Sequence, residues 1–289
     1  MTMHKAGDVI GARYEVLGFV GEGGMQEVYR ANDRLLDRDV ALKCPKNKSA
    51  AKRFRRSAVV SAKVNHANVA KTLDYVEEPE IAYLIEEFID GKDLSRVLKE
   101  HVPFLDPLLA ARVLHHLAKG LAASHHAGVI HRDLKPSNIM SVGGDNLNDV
   151  KVTDFGIAKI AEEEIAEAIE GGEGSLTASQ TAIGALPYMA PEMVRSMKDA
   201  GKPADIWSLG AMIFELMSGK KPFGAGLAAV EKILAGKIPS IPNIVTSNLQ
   251  FKPSGDELYA LIQKCMQVDP AKRPSADELV ASFNQFAMI

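Results

Sequence analysis

The sequence predicts an α+β protein of two lobes, a small antiparallel-sheet lobe at 1–89 followed by a larger helical lobe at 90–289. Three observations predict it. Short β-type runs dominate the first ninety or so residues, Asp90 and Gly91 break the chain, and helical periodicity prevails afterwards. A length of 289 residues allows one large bilobal unit or two modest domains, and either can bury a real core.

In chain order, strands are predicted at 14–20 and 27–31, flanking a glycine-rich turn, then at 40–43, 72–77 and 81–88. That is a five-stranded antiparallel pattern. Between the third and fourth runs, 50–64 has helical spacing through Phe54, Ala58, Val59 and Ala62, so one helix interrupts the sheet. Past the break, 108–127 carries a core-facing stripe of Leu109, Val113, Leu114, Leu117 and Leu121. A second strong helix at 205–218 is built on Ile206, Leu209, Ile213 and Met217 and stopped by Gly219. Further helices are expected at 228–235, 255–266 and 275–286. The segment 162–174, rich in Glu and Gly, reads as a short solvated helix followed by a flexible joint.

Composition narrows the class without naming a partner. Apolar residues at 46% and charged ones at 25% are ordinary for a globular chain and exclude a disordered, collagen-like or disulfide-scaffold protein. Lys and Arg number 34 against 37 Asp and Glu, a net charge of −3, too balanced for a general nucleic-acid binder or a polybasic membrane-surface protein. Only Cys44 and Cys265 occur, far apart, which suits free thiols in a reducing compartment and no zinc site. The start lacks the apolar run of a secretory signal and no stretch offers a membrane span, so a soluble, cytoplasmic protein without membrane contact is expected.

Four motifs carry chemistry. Gly21, Gly23 and Gly24 lie in a turn between two strands, where small residues let backbone amides approach phosphate oxygens. Lys43, at the end of Val40-Ala41-Leu42-Lys43, can point beneath that turn. A tight hairpin and a solvated lysine are the plain alternatives. More specific is His131-Arg132-Asp133-Leu134-Lys135-Pro136-Ser137-Asn138, which sets a carboxylate, a lysine and an amide in one loop after a long helix. Those groups suit orienting a hydroxyl, neutralising a phosphoryl group and holding a metal. Sixteen residues after Asn138 comes Asp154-Phe155-Gly156, whose carboxylate fits oxygen-coordinated Mg²⁺. Each alone could be a turn; together and in this order, coincidence is implausible.

With these motifs the chain resembles the protein kinase superfamily from about residue 14 to 286, most closely the eukaryotic-like Ser/Thr kinases of bacteria. Ala190-Pro191-Glu192, Asp205-Ile206-Trp207-Ser208-Leu209-Gly210 and Arg273 extend the likeness. The resemblance implies a bilobal kinase fold, ATP and Mg²⁺ as cofactors, and protein substrates with Ser or Thr acceptors. It implies Lys43 as the α/β-phosphate lysine, Asp133 as the residue orienting the acceptor hydroxyl and Lys135 as the γ-phosphate lysine. Asn138 and Asp154 become the Mg²⁺ ligands. Val28, Ala41 and Met140 would sandwich adenine, while Glu87 and Ile89 would offer hinge backbone groups to its edge. Glu192 would pair with Arg273, and Asp205 would anchor the catalytic loop from below. Arg132 would meet a phosphorylated hydroxyl, for which Thr181, Ser179 and Thr177 are the autophosphorylation candidates.

The sequence departs from the family in four places. Gln26 stands where a third glycine is usual, with little effect expected, and Ala185 stands where a threonine hydroxyl normally bridges the catalytic aspartate and lysine. Ser57 aligns with the helix glutamate that ordinarily pairs the phosphate lysine, and no Asp or Glu occurs from 47 to 65 to replace it. Glu86 occupies the back of the adenine pocket, normally uncharged. The last two anomalies can explain each other if Glu86 reaches Lys43 from the neighbouring strand. Two functions follow: an active Ser/Thr protein kinase, or a nucleotide-binding pseudokinase acting as a regulatory or scaffolding module. A small-molecule phosphotransferase is disfavoured by Lys135 and by Ala190-Pro191-Glu192. His115, His116, His125 and His126 read as helix and helix-end residues rather than a metal cluster.

Overall fold

A computed structural model describes residues 2–22, 26–46, 54–55, 58–79, 81–100, 104–144, 147–155, 184–240 and 252–283. The first lobe is one antiparallel sheet: β1 (Val9–Ile10), β2 (Tyr14–Glu22), β3 (Gln26–Asp33), β4 (Arg38–Pro45), β5 (Thr72–Glu77) and β6 (Ala82–Glu87). Its order is β1-β2-β3-β4-β6-β5, so it holds six strands where five were expected. The extra strand is two residues long, too short to show alternation, and pairs Val9 with Glu15 and Ile10 with Tyr14.

Period-two alternation divides the chemistry of this sheet. Val40, Leu42 and Cys44 of β4 join Tyr83 and Ile85 of β6, Tyr29 and Ala31 of β3 and Tyr14 and Val16 of β2 in a core on one face. The opposite face carries Ala41 and Lys43 beside Leu84 and Glu86, because Ala41 pairs with Glu86 and Lys43 with Leu84. Lys43 and Glu86 are therefore diagonal neighbours, within reach of long side chains. Leu84 packs on Phe54 and Ala58, residues of the expected 50–64 helix, of which 54–55 and 58–61 are described and helical. That helix gives way to a turn at 62–63, and Val59, expected on its apolar face, is 59% exposed. Phe54 and Ala58 already fill the contact with Leu84, so Val59, one position on, falls on the outer side.

Residues 90–93 lead into the second lobe. A Cβ on Gly91 would lie 1.8 Å from the Ser141 carbonyl oxygen, so only glycine fits that crossing. The helices are α1 (Leu94–Glu100), α2 (Pro107–His126), α3 (Pro191–Arg195), α4 (Lys202–Ser218), α5 (Ala228–Ala235), α6 (Lys252–Cys265) and α7 (Ala276–Phe283). Asp106 starts α2 by accepting from the Leu108 and Leu109 amides at 2.9 and 3.0 Å, and Pro107 follows at the first helical position. Gly219 ends α4 with φ 68°, the left-handed stop read from the sequence. The expected stripe of α2 is buried through Val113, Leu114, Leu117 and Leu121, and α4 is buried on nearly all sides around Trp207, whose ring stacks on Phe223. α1 and α3, seven and five residues long, carried too little periodicity to be expected. A two-stranded ribbon of β7 (Ile139–Ser141) and β8 (Val150–Val152) packs against α1 and α2. The segment expected at 162–174 lies outside the described residues. Both cysteines are buried free thiols, each pushed up to about 12 by burial.

Candidate active site

The loop that follows α2 is held by a buried carboxylate. Asp205, fully buried in the first turn of α4, accepts from the His131 and Arg132 amides at 2.9 and 2.8 Å and from His125 Nε2 at 2.8 Å. These bonds fix Arg132 at φ 68°, a left-handed conformation uncommon for a non-glycine residue. His131 Nδ1 accepts from the Asp133 amide at 3.2 Å, so its proton resides on Nε2, which donates to the Thr153 carbonyl at 2.9 Å. The loop and the segment after β8 are thereby tied together.

On that base the functional groups of the loop gather. Lys135 Nζ donates to both Asp133 carboxylate oxygens, at 2.8 and 3.1 Å. Asn138 Nδ2 donates to the Asp133 carbonyl at 2.8 Å and its carboxylate at 3.1 Å, and the Asn138 carbonyl accepts from the Thr153 amide at 2.9 Å. Asp154, next in the chain, takes φ 62°. Phe155 beneath it lies against the His131 ring at 4.6 Å between centroids.

Across the cleft, Lys43 meets two acids. Its ammonium pairs with Glu86 Oε2 and lies 2.8 Å from Asp154 Oδ1. Burial alone would lower the Lys43 pKa, but Asp154 and Glu86 outweigh it and hold the amine protonated. Burial, opposed by Lys43, raises the Glu86 pKa, whereas Lys43 overcomes the burial cost at Asp154 and lowers its pKa. Two carboxylates sharing one ammonium thus separate, with Asp154 the stronger acid. Glu87, the next residue, pairs with Lys151 and accepts from the Lys71 amide at 3.3 Å.

Of the residues read from the sequence, the structure gathers Lys43, Glu86 and Asp154 in one cluster and Asp133, Lys135 and Asn138 in another, joined through Asn138 and Thr153. Val28, Ala41 and Met140 are partly or largely buried on β3, β4 and β7, with Glu87 closing β6 and Ile89 two residues beyond it. Gly21 lies in β2, while Gly23, Gly24, Ser57, Thr177, Ser179 and Thr181 lie outside the described residues. Arg273 binds Glu192 through two bonds of 2.6 and 2.8 Å and places its guanidinium over Trp207. The histidines of α2 meet acids one at a time, His125 at Asp205, His126 at Asp277 and His116 at Asp149, and no group of three metal-ligating side chains occurs among the described residues.

One contact has no counterpart in the sequence reading. Gln26, expected to matter little, donates from Nε2 to Asp154 Oδ1 at 2.9 Å. The two residues are 128 apart in the chain, and no local pattern connects them.

The protein kinase domain family matches residues 14–283. A probable serine/threonine-protein kinase PknB of Corynebacterium glutamicum is 33% identical over 290 residues, covering 96% of this chain and 43% of the relative. The serine/threonine-protein kinase PrkC of Bacillus subtilis is 34% identical over 242 residues, covering 81% and 35%. The chain therefore spans less than half the length of these relatives. Among solved structures, Rad53 1-466 in complex with AMP-PNP superposes with a TM-score of 0.71 at 23% identity, covering 95% of this chain and 65% of that one. With the sheet, the helical lobe and the matched span in agreement, the chain belongs to the protein kinase domain family.

Proposed function

We propose that the chain is an active Ser/Thr protein kinase domain that transfers the γ-phosphoryl group of ATP to Ser or Thr hydroxyls of proteins. The observation that carries this reading is the bonded cluster of Asp133, Lys135 and Asn138, tied through Thr153 to Asp154 and, across the cleft, to Lys43. In this reading Asp133 accepts a hydrogen bond from the incoming hydroxyl and aims its oxygen at phosphorus. Lys135, already within 2.8 Å of that carboxylate, offsets charge on the transferred group. Lys43 is held protonated and points into the same cleft, where it clamps the α- and β-phosphates. Glu86 orients that ammonium from the adjacent strand, the work usually done by the helix position aligned with Ser57. Val28, Ala41 and Met140 supply the apolar surfaces for adenine, and Glu87 and Ile89 the backbone groups for its edge.

The donors present fit Mg²⁺. Asp154 is kept ionised by Lys43, and with its amide nitrogen spent on Asp133, Asn138 has an oxygen to offer; both are hard ligands of the kind the ion takes. When bound, Mg²⁺ would neutralise phosphate charge as the phosphoryl group departs. The names carried by the two bacterial relatives support Ser/Thr specificity.

The test is incubation of the purified chain with labelled Mg-ATP and a general protein substrate, followed by phosphosite mapping, beside Asp133→Asn. Transfer that disappears in Asp133→Asn, with phosphate on Thr181, Ser179 or Thr177, is the expected result. ATP binding without transfer would overturn the catalytic reading and leave a regulatory nucleotide-binding module.

A further inference from the structure

Gln26 begins β3 immediately after the glycine-rich turn, yet its side chain is buried, with 8% of the residue exposed. Alternation explains where it goes. Tyr29 and Ala31 join the core on one face of the sheet, so Gln26 and Val28 project from the other, the face of Lys43 and Glu86. From there the amide crosses to Asp154 Oδ1, the oxygen that also takes the Lys43 ammonium at 2.8 Å. The other end of the amide, Oε1, is buried with no hydrogen-bond partner. An unsatisfied buried acceptor is unfavourable and calls for an explanation in another state of the site.

The charge arrangement supplies one. A carboxylate that is to take a divalent cation has here been given two donors, an ammonium and the positive end of an amide dipole. The ammonium belongs to the phosphate-binding apparatus and has Glu86 as a second partner. The amide has none, and its N–H occupies Asp154 Oδ1, where it competes with a cation for the carboxylate's charge. Turning the amide over, or swinging the Gln26 side chain away, removes that competition and frees Oε1 to find a donor or the cation's hydration shell.

We propose that Gln26 is a latch on Asp154: its side-chain amide holds the metal-binding carboxylate and must let go before cation-bound nucleotide is seated, so that it sets the affinity for that complex. The inference rests on the nucleotide and Mg²⁺ reading above. It differs from the expectation that Gln26 is a neutral replacement of glycine.

Titration calorimetry with ATP, once with excess Mg²⁺ and once with EDTA, separates the possibilities for the wild-type chain, Gln26→Met and Gln26→Gly. Methionine keeps the length and bulk but cannot bond Asp154, and thermal melting of each protein reports that it is folded. The latch predicts that the gain in ATP affinity on adding Mg²⁺ is about 10- to 100-fold larger in Gln26→Met than in wild type, the scale of one hydrogen bond to a charged group. In EDTA the two should bind ATP within about twofold, and Gln26→Gly, if folded, should show at least the same Mg²⁺ gain. An unchanged gain in Gln26→Met overturns the latch; a reduced gain also overturns it and makes Gln26 a cation ligand. No ATP binding by any of the proteins, wild type included, would overturn the nucleotide reading and the latch with it.

Discussion

Replacing Asp205 by Asn keeps the shape of the side chain and removes its charge, a change with a calculable effect on the 131–138 loop. The carboxylate accepts from two backbone amides, at 2.8 and 2.9 Å, and from His125 Nε2 at 2.8 Å, with no exposure to water. An asparagine has one oxygen and one NH₂. Turned one way the NH₂ faces the Arg132 amide, turned the other it faces the His131 amide and His125, so at least one buried donor is left unpaired and the remaining bonds are to an uncharged group. Losing a hydrogen bond to a charged group costs about 1.5 to 3 kcal/mol and an unsatisfied donor about 1 to 3 more, so roughly 2.5 to 6 kcal/mol in all. At about 2 to 4 °C per kcal/mol for a domain of this size, the melting temperature should fall on the order of 10 °C. Arg132 also loses what holds it at φ 68°, and its relaxation displaces Asp133, next in the chain. Calorimetric melting and steady-state phosphotransfer should therefore show a large loss of Tm together with at least a tenfold fall in kcat, roughly 1.4 kcal/mol of barrier. A variant that melts within a degree or two of wild type and turns over normally would refute the anchoring argument.

Three further outcomes follow from the same kind of geometry. Glu192→Gln leaves the Arg273 guanidinium, 7% exposed, with the Pro203, Gln267 and Val268 carbonyls but without its counter-charge, and should cost about 3 to 5 kcal/mol in denaturant unfolding, whereas an effect below about 1 kcal/mol would show the pair to be dispensable. Gly210→Ala places a Cβ 2.8 Å from Cys265 Cβ and 2.9 Å from Met266 Cγ, where α4 meets α6, and should destabilise by about 1 to 3 kcal/mol through overpacking; an unchanged unfolding midpoint would contradict that packing. Asp33 is held below the usual aspartate range by the Arg13 guanidinium, at 2.7 Å to each oxygen. A depressed folded pKa means that its contribution is complete above about pH 4, the unfolded value, and is lost as pH falls through the folded one. The Tm difference between wild type and Asp33→Asn should accordingly be present at neutral pH and vanish in strong acid; a difference independent of pH would contradict it.

The parts of the fold visible in the sequence were those with a repeating pattern long enough to count. β4 and β6, buried on both faces, stand out as short apolar runs, and α2 and α4 repeat over four turns or more, so the existence of all four follows from local pattern. β1, α1 and α3 are too short for a period to emerge, and they exist because neighbouring elements pair with or bury them. The site divides in the same way. Asp133, Lys135 and Asn138 are close in sequence, and a loop after a helix keeps them close in space. Lys43 and Glu86 are 43 residues apart, but strand register makes them diagonal neighbours, and two anomalies in one family pattern were enough to suggest the contact. Gln26 and Asp154 share neither a register nor a paired anomaly, and their contact follows only from how the two lobes close. The N-terminal segment is hidden for a similar reason: Met3 and His4 donate backbone bonds to Glu27 and Tyr29, contacts that no local periodicity encodes.

If the strand carboxylate of Glu86 has replaced the helix partner of the proposed phosphate lysine while catalysis is kept, kcat/KM for Mg-ATP must fall in Glu86→Gln. Lys43 would retain Asp154 alone, a carboxylate also required by the cation. Loss of one charge-assisted bond, about 1.5 to 3 kcal/mol, should lower kcat/KM roughly 10- to 100-fold at 1.4 kcal/mol per factor of ten. Adding Ser57→Glu, which returns an acid to the position aligned with the usual glutamate partner, should recover part of the loss. Wild-type kcat/KM in Glu86→Gln would contradict the claim.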